Sequence, residues 1–210
     1  MTRVKICGLT RMEDIEAVNR TLPDFVGFVF APSRRRLDIK TAAKLRERLD
    51  PRIKAVGVFT DEAEGVVSGL YRDGIIDLAQ LHGDEDGGYI ERLKRSCSCP
   101  VIKAVGISDA LPDLPICNEG FFGPDFLIFD TLSTQRGGVG KAFDWNILRG
   151  YNGIPFFLAG GLTLENVIDG VALLAPYCVD VSSGVETDGL KDAKKIERFV
   201  HLVKNVSCCP

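Results

Sequence analysis

VKIC, residues 4–7, runs straight into Gly8-Leu9-Thr10. The run is apolar enough for a buried strand, and the glycine ends it. Its last position is a cysteine. Inside a core a cysteine is a small hydrophobe. At the mouth of a site it is a thiol. Which of these Cys7 is depends on what the rest of the chain builds around that strand.

Further short apolar runs follow: FVGFVF (25–30), IKAVGVF (53–59), IIDLAQL (75–81), VIKAV (101–105), FLIFD (126–130), FFLA (156–159) and CVDV (178–181). Several are continuous and rich in β-branched or aromatic residues, as strands covered on both faces are. Helical patterns lie between them: Met12–Arg20, Ile39–Leu49 with Asp38 as N-cap, Asp61–Tyr71, Asp86–Lys94, Trp145–Arg149, Leu164–Leu174 with Thr163 as N-cap, and Asp192–Val203. The fifth connection, 106–125, is Pro-rich and reads as a short helix at most. Eight β-α units in 210 residues predict a single (β/α)8 TIM barrel domain over 1–210. The runner-up is an open doubly wound sheet. It usually has fewer strands and a glycine-rich first turn, where this chain has one glycine.

The composition is that of an ordinary globular chain, 45% hydrophobic and 26% charged. A net charge of −3 argues against a nucleic-acid partner. No amino-terminal apolar segment precedes a cleavage site, and no run is long enough to span a membrane, so a cytoplasmic protein with free thiols is expected. The cysteines are at 7, 97, 99, 117, 178, 208 and 209. Cys97-Ser98-Cys99 and Cys208-Cys209 lack paired zinc-site spacing, so no metal is expected. No other cofactor is expected either. Gly140-Lys141 falls short of a nucleotide-binding P-loop, because Gln135 and Ala142 stand where that motif needs glycine and Ser or Thr.

In a barrel, chemistry collects at the carboxyl ends of the strands. That rule places Cys7 in the catalytic layer. After the second run come Ser33 and Arg34-Arg35-Arg36, the fourth carries Gln80 and leads to His82, and the sixth ends in Asp130. The seventh leads to Gly160-Gly161, and the eighth carries Asp180 and leads to Ser182-Ser183-Gly184. Asp130 by itself is as readily a helix cap or an ion-pair partner. With Cys7 it makes an acid/base pair: a carboxyl raised in pKa gives a proton, and a thiol lowered in pKa takes one. That is isomerase chemistry. The glycine clusters after runs seven and eight occupy the usual barrel phosphate site, and a short helix beginning near Ser183 would add its positive end.

KICGLT, VGFVFAPSRR, VGVF, QLHGDE, VIKAVG, FDT, GGVGKAFDW, AGGLTLENV and VDVSSGVE occur in this order along nearly the whole chain. Together they resemble the phosphoribosylanthranilate isomerase family of tryptophan biosynthesis. The resemblance implies an Amadori rearrangement of N-(5-phosphoribosyl)anthranilate to 1-(o-carboxyphenylamino)-1-deoxyribulose 5-phosphate. It implies Cys7 as general base and Asp130 as general acid. It implies an arginine of the 34–36 run for the anthranilate carboxylate, Arg36 by alignment, with Arg34 and Arg35 left open. The phosphate would rest on amides around Gly138, Gly140, Gly160, Gly161, Ser183 and Gly184. Asp180 would hold sugar hydroxyls, and Gln80 and His82 would line the site. The expected partner is a phosphosugar, with the chain a monomer or a homodimer.

Two rivals remain. A related phosphosugar barrel, such as the histidine-pathway isomerase, uses aspartates at both positions, and Cys7 argues against it. A barrel that only binds a phosphate ligand has no need of Cys7 and Asp130 together.

Overall fold

A computed structural model describes residues 1–112, 123–131 and 143–206. Gly138, Gly140, most of the fifth connection, Cys117 and the cysteines at 208 and 209 lie outside these residues. Eight parallel strands close into a barrel in sequence order. They are β1 (Arg3–Cys7), β2 (Phe25–Val29), β3 (Lys54–Phe59), β4 (Leu78–Leu81), β5 (Val101–Ile107), β6 (Phe126–Thr131), β7 (Phe156–Leu158) and β8 (Cys178–Val181). All eight fall on the apolar runs. Closure is made by β1 against β8, with Lys5 opposite Asp180 and Ile6 opposite Val181.

Side chains alternate between two environments along each strand. Val4, Ile6, Val26, Phe28, Ala55, Phe59, Ala79 and Leu81 pack outward against Ile15, Val18, Leu45, Val67, Ile90, Leu93 and Phe199 of the helices. A second, inner cluster holds Phe25, Val56, Leu78, Ile102, Ile128, Phe157 and Cys178. Phe157 is its hub, with ring centroids 5.4 Å from Phe25 and 5.6 Å from Phe126. The interior is therefore filled, and only its carboxyl-terminal end is left for chemistry.

The helices are α1 (Met12–Thr21), α2 (Ile39–Arg48), α3 (Glu64–Arg72), α4 (Gly87–Ser96), α5 (Val167–Leu174) and α6 (Ala193–Lys204). Asp38, Asp86 and Asp192 cap α2, α4 and α6, accepting from the amides of Thr41, Tyr89, and Lys194 with Lys195. Each such cap is worth about 1 kcal/mol. The expected helix from Asp61 begins only at Glu64, because Asp61 holds a left-handed φ of 51° and its amide is taken by Glu85. Thr163 is not the N-cap of α5. Its hydroxyl accepts from Glu165 and closes a preceding turn, and Asn166 stands at the cap. Trp145–Leu148 is one 3-10 turn, not an α-helix. Asp144 takes the Asn146 amide, and Gly150, at φ 81°, turns the chain away.

Three aspartates at the bottom of the barrel escaped the sequence reading. Asp24, Asp77 and Asp125 each directly precede an even-numbered strand or lie one residue from it. They accept the first free amides of the neighbouring odd strands, at Val4, Ala55 and Val101. A buried strand end would otherwise leave these donors unpaired.

Candidate active site

The alternation of the strands explains the site. Cys7 stands two residues beyond Lys5, Gln80 two beyond Leu78, Asp130 two beyond Ile128, and Asp180 two beyond Cys178. Each polar side chain therefore shares the inner face with the residue below it and rises one step higher. The apolar floor passes into a polar layer at the mouth.

At the centre of that layer Lys5 is fully buried and contacts Asp180 Oδ2 at 3.0 Å. Burial would push its ammonium down, but Asp180 and Cys7 more than offset this and hold it raised. The second oxygen of Asp180, Oδ1, is buried with no hydrogen-bond partner among the described residues, which leaves an acceptor in this polar layer.

Cys7 is half-buried and reduced. After it, Gly8 adopts φ 82° and its amide donates to the Gly27 carbonyl at 2.9 Å. Gly27 on β2 leaves room for the sulfur, since a Cβ there would lie 2.6 Å from Cys7 Sγ. Gly27→Ala should therefore displace the thiol. It is expected to cost about 1–3 kcal/mol by overpacking, read by denaturant unfolding, with a loss of turnover; native stability and rate in the variant would refute this. The sequence led us to expect a thiol of lowered pKa. The structure corrects this: burial pushes Cys7 up, with the Lys5 and Lys191 ammonium groups pulling the other way.

Asp130 and His82 meet across the mouth, with Oδ2 and Nε2 3.6 Å apart. That is too long for a hydrogen bond. About a third of each side chain is open to solvent at the mouth, 31% and 37%. Enclosure on the other sides dominates: burial raises Asp130 and lowers His82, each offset in part by the other. Both shifts favour a protonated Asp130 beside a neutral His82. Asp130 Oδ1 accepts from the Thr131 amide at 2.8 Å. His82 Nδ1 lies 3.0 Å from Gln80 Nε2, and Gln80 Oε1 is buried without a hydrogen-bond partner among the described residues. The loop carrying His82 is anchored from below, where Lys103 reaches the Gly83 carbonyl at 2.6 Å and Glu85 at 2.9 Å.

The arginine run divides. Arg35 pairs with Glu186 through two bonds of 2.8 and 2.9 Å, and Arg34 joins the same carboxylate at 2.7 Å. Lys191 adds a third cation at 2.8 Å and also reaches the Ser182 carbonyl. Glu186 (β9, Glu186–Thr187) and Lys191 (β10, Leu190–Lys191) belong to a small antiparallel hairpin after β8. Arg36 is exposed and makes no ion pair among the described residues. Lys5, Glu186 and Lys191 were missed as site residues. The available signal was a charged residue inside an otherwise buried run, plain for Lys5 in VKIC.

After β7, Gly160 and Gly161 take φ 78° and 73°. A Cβ on Gly160 would strike Thr131, and one on Gly184 would strike the Leu162 carbonyl. These glycines expose backbone where a side chain does not fit. The helix expected near Ser183 is only a 3-10 turn, Ser183–Val185. Too few peptide dipoles align in it to add the field expected of a helix end. A separate hollow of about 280 Å3, lined by Tyr151, Ile154, Phe156 and Tyr177, lies at the amino-terminal ends of β7 and β8, on the opposite rim from this chemistry.

Among the described residues no helix is long and apolar enough to cross a membrane. The family model for N-(5'phosphoribosyl)anthranilate (PRA) isomerase matches residues 4–202. An N-(5'-phosphoribosyl)anthranilate isomerase of Endomicrobium trichonymphae is 45% identical over 207 residues, covering 98% of this chain and all of that one. The crystal structure of a phosphoribosyl anthranilate isomerase from Thermus thermophilus superposes with a TM-score of 0.84 at 33% identity, covering 98% of this chain and 100% of that chain. A second structure, of such an isomerase in complex with reduced 1-(o-carboxyphenylamino)-1-deoxyribulose 5-phosphate, superposes with a TM-score of 0.80 at 32% identity, over 98% of this chain and 100% of that one.

Proposed function

The chain belongs to the N-(5'-phosphoribosyl)anthranilate isomerase family, and from that premise we propose that it converts N-(5'-phosphoribosyl)anthranilate to the aminodeoxyribulose phosphate with Cys7 as base and Asp130 as acid. The observation that carries the residue assignment is the pairing of a thiol and a raised carboxyl around one buried Lys5–Asp180 pair.

The steps start from a protonated Asp130 and from the ionised fraction of Cys7, which burial reduces. Asp130 gives its proton to the furanose ring oxygen. The bond from that oxygen to C1 breaks, and the anilino nitrogen lone pair forms the C1=N bond of a protonated Schiff base. The Cys7 thiolate then takes the proton from C2. The C2–H electron pair becomes the C1=C2 bond, and the C1=N pair returns to nitrogen. The resulting enolamine tautomerises to the ketone, with a proton gained at C1 and one lost from the C2 hydroxyl. A carboxyl kept neutral by its site can donate near neutral pH.

Binding is shared out around the mouth. Arg36 receives the anthranilate carboxylate, since a planar fork suits it and the charges of Arg34 and Arg35 are already engaged with Glu186. Asp180 Oδ1 accepts from a sugar hydroxyl. Gln80 and His82 line the floor. The phosphate lies on amides around Gly160, Gly161, Ser183 and Gly184, with Gly138 and Gly140 assigned there by the resemblance.

The direct test is fluorescence: added protein should consume the anthranilate-bearing substrate, and no decay would sink the assignment. Arg36→Ala is expected to raise KM more than it lowers kcat, because carboxylate binding is common to ground and transition states. If Arg35→Ala does this instead and Arg36→Ala does not, the carboxylate ligand is Arg35.

A further inference from the structure

Lys5 carries a charge into the middle of the barrel, and the reaction scheme above gives it no task. Its side chain is completely buried, with Asp180 Oδ2 at 3.0 Å. A buried ion pair is weak evidence for stability, since apolar residues of similar volume often serve as well. Its placement is more informative. Lys5 and Cys7 share the inner face of β1, and the ammonium lies within electrostatic reach of the sulfur. The other charged groups acting on the thiol are Asp180 from β8, which opposes a thiolate, and Lys191 from β10, which favours one. Lys191 is already bound to Glu186 and Ser182. Across the mouth, Asp130 and His82 face the same Lys5 and Asp180. An ammonium has three donors, and Asp180 is the hydrogen-bond acceptor found for this one.

We propose that Lys5 is a positioning residue for the isomerisation: its buried ammonium, fixed by Asp180, stabilises the Cys7 thiolate and holds it toward the substrate carbon. This rests on the assignment of Cys7 as the base. Lys5 keeps its protons throughout; the proton taken from C2 passes to sulfur, and before the next turnover Cys7 releases a proton to solvent and Asp130 takes one back. The lysine works by enlarging the thiolate fraction. Each unit by which it lowers the thiol pKa raises that fraction about tenfold below the midpoint. The intrinsic reactivity of the thiolate falls only about threefold, for a Brønsted slope near 0.5.

The test compares the native chain with Lys5→Met and with Lys5→Met/Asp180→Asn, which removes both charges in case the single change leaves Asp180 too costly to bury. Iodoacetamide alkylation of the Cys7 peptide is followed by mass spectrometry against pH, with circular dichroism confirming the fold. The Cys7 midpoint is expected to rise by at least about one unit in Lys5→Met, and by less in the double variant, which also loses the opposing charge of Asp180. In Lys5→Met, kcat/KM near neutral pH should fall at least about threefold, the net of those two effects. The deficit should narrow as pH rises and the acid limb should move with the midpoint, a pattern a merely structural lysine would not give. An unchanged midpoint in folded Lys5→Met overturns the proposal, as does a lowered midpoint in the double variant. So does a shifted midpoint with an unmoved acid limb. Full turnover by Cys7→Ser would instead remove the base assignment, and the positioning role with it, even if alkylation had shifted.

Discussion

Cys7→Ser is expected to lower kcat by at least about 10²-fold, the low end of what a positioned acid or base contributes. A serine hydroxyl does not ionise in the range where a thiol does, so the variant loses its base while keeping a side chain of similar shape. The loss should fall on kcat. Arg36 and the glycine-lined rim are untouched, so ground-state binding should change little. Decay of substrate fluorescence under saturating conditions measures it, and unchanged turnover would transfer the base role to another group. The native enzyme should also show a rising acid limb in kcat/KM. On the proposed mechanism the active form carries the thiolate, and burial raises the thiol pKa. Rate is therefore lost as pH falls and Cys7 becomes protonated.

Asp130→Asn should abolish most activity with the fold retained. The amide keeps an oxygen to accept from the Thr131 amide, now 2.8 Å from Oδ1, but it has no acidic proton to give. The expected loss is again about 10²-fold or more, with thermal unfolding near that of the native chain. A nearly active variant would shift the acid role, and His82 would be the next group to test, 3.6 Å away. The sign of the pH effect is opposite to that of Cys7. As the proposed acid Asp130 would act in its protonated form, so activity is expected to be lost as pH rises. Its raised pKa extends the acid form upward and moves that limb to higher pH.

The barrel was legible because every strand is buried on both faces. Such strands read as apolar runs, several of them continuous, and all eight strands fall on such runs. Helix starts were legible where an aspartate caps in the ordinary way, as at Asp38, Asp86 and Asp192. They were displaced where tertiary bonds intervene: the Glu85 bond to the Asp61 amide delays α3, and the turn closed by Thr163 delays α5. Lys5 was passed over because the partner that makes its burial possible, Asp180, lies in the eighth strand, 175 positions away.

The sequence by itself determined the strand order, the side of the barrel that carries chemistry, and the residue types offered there, because alternation along a strand and position at its end are local properties. The tertiary structure alone decided the electrostatic state of the site. Lys5 meets Asp180 from 175 positions away, Glu186 takes the charge of Arg35 from 151 positions away, and enclosure by other strands raises both the Cys7 thiol and the Asp130 carboxyl. A protonation state depends on the field and solvent exposure at a point in space, and only closure of the ring brings those charges to that point.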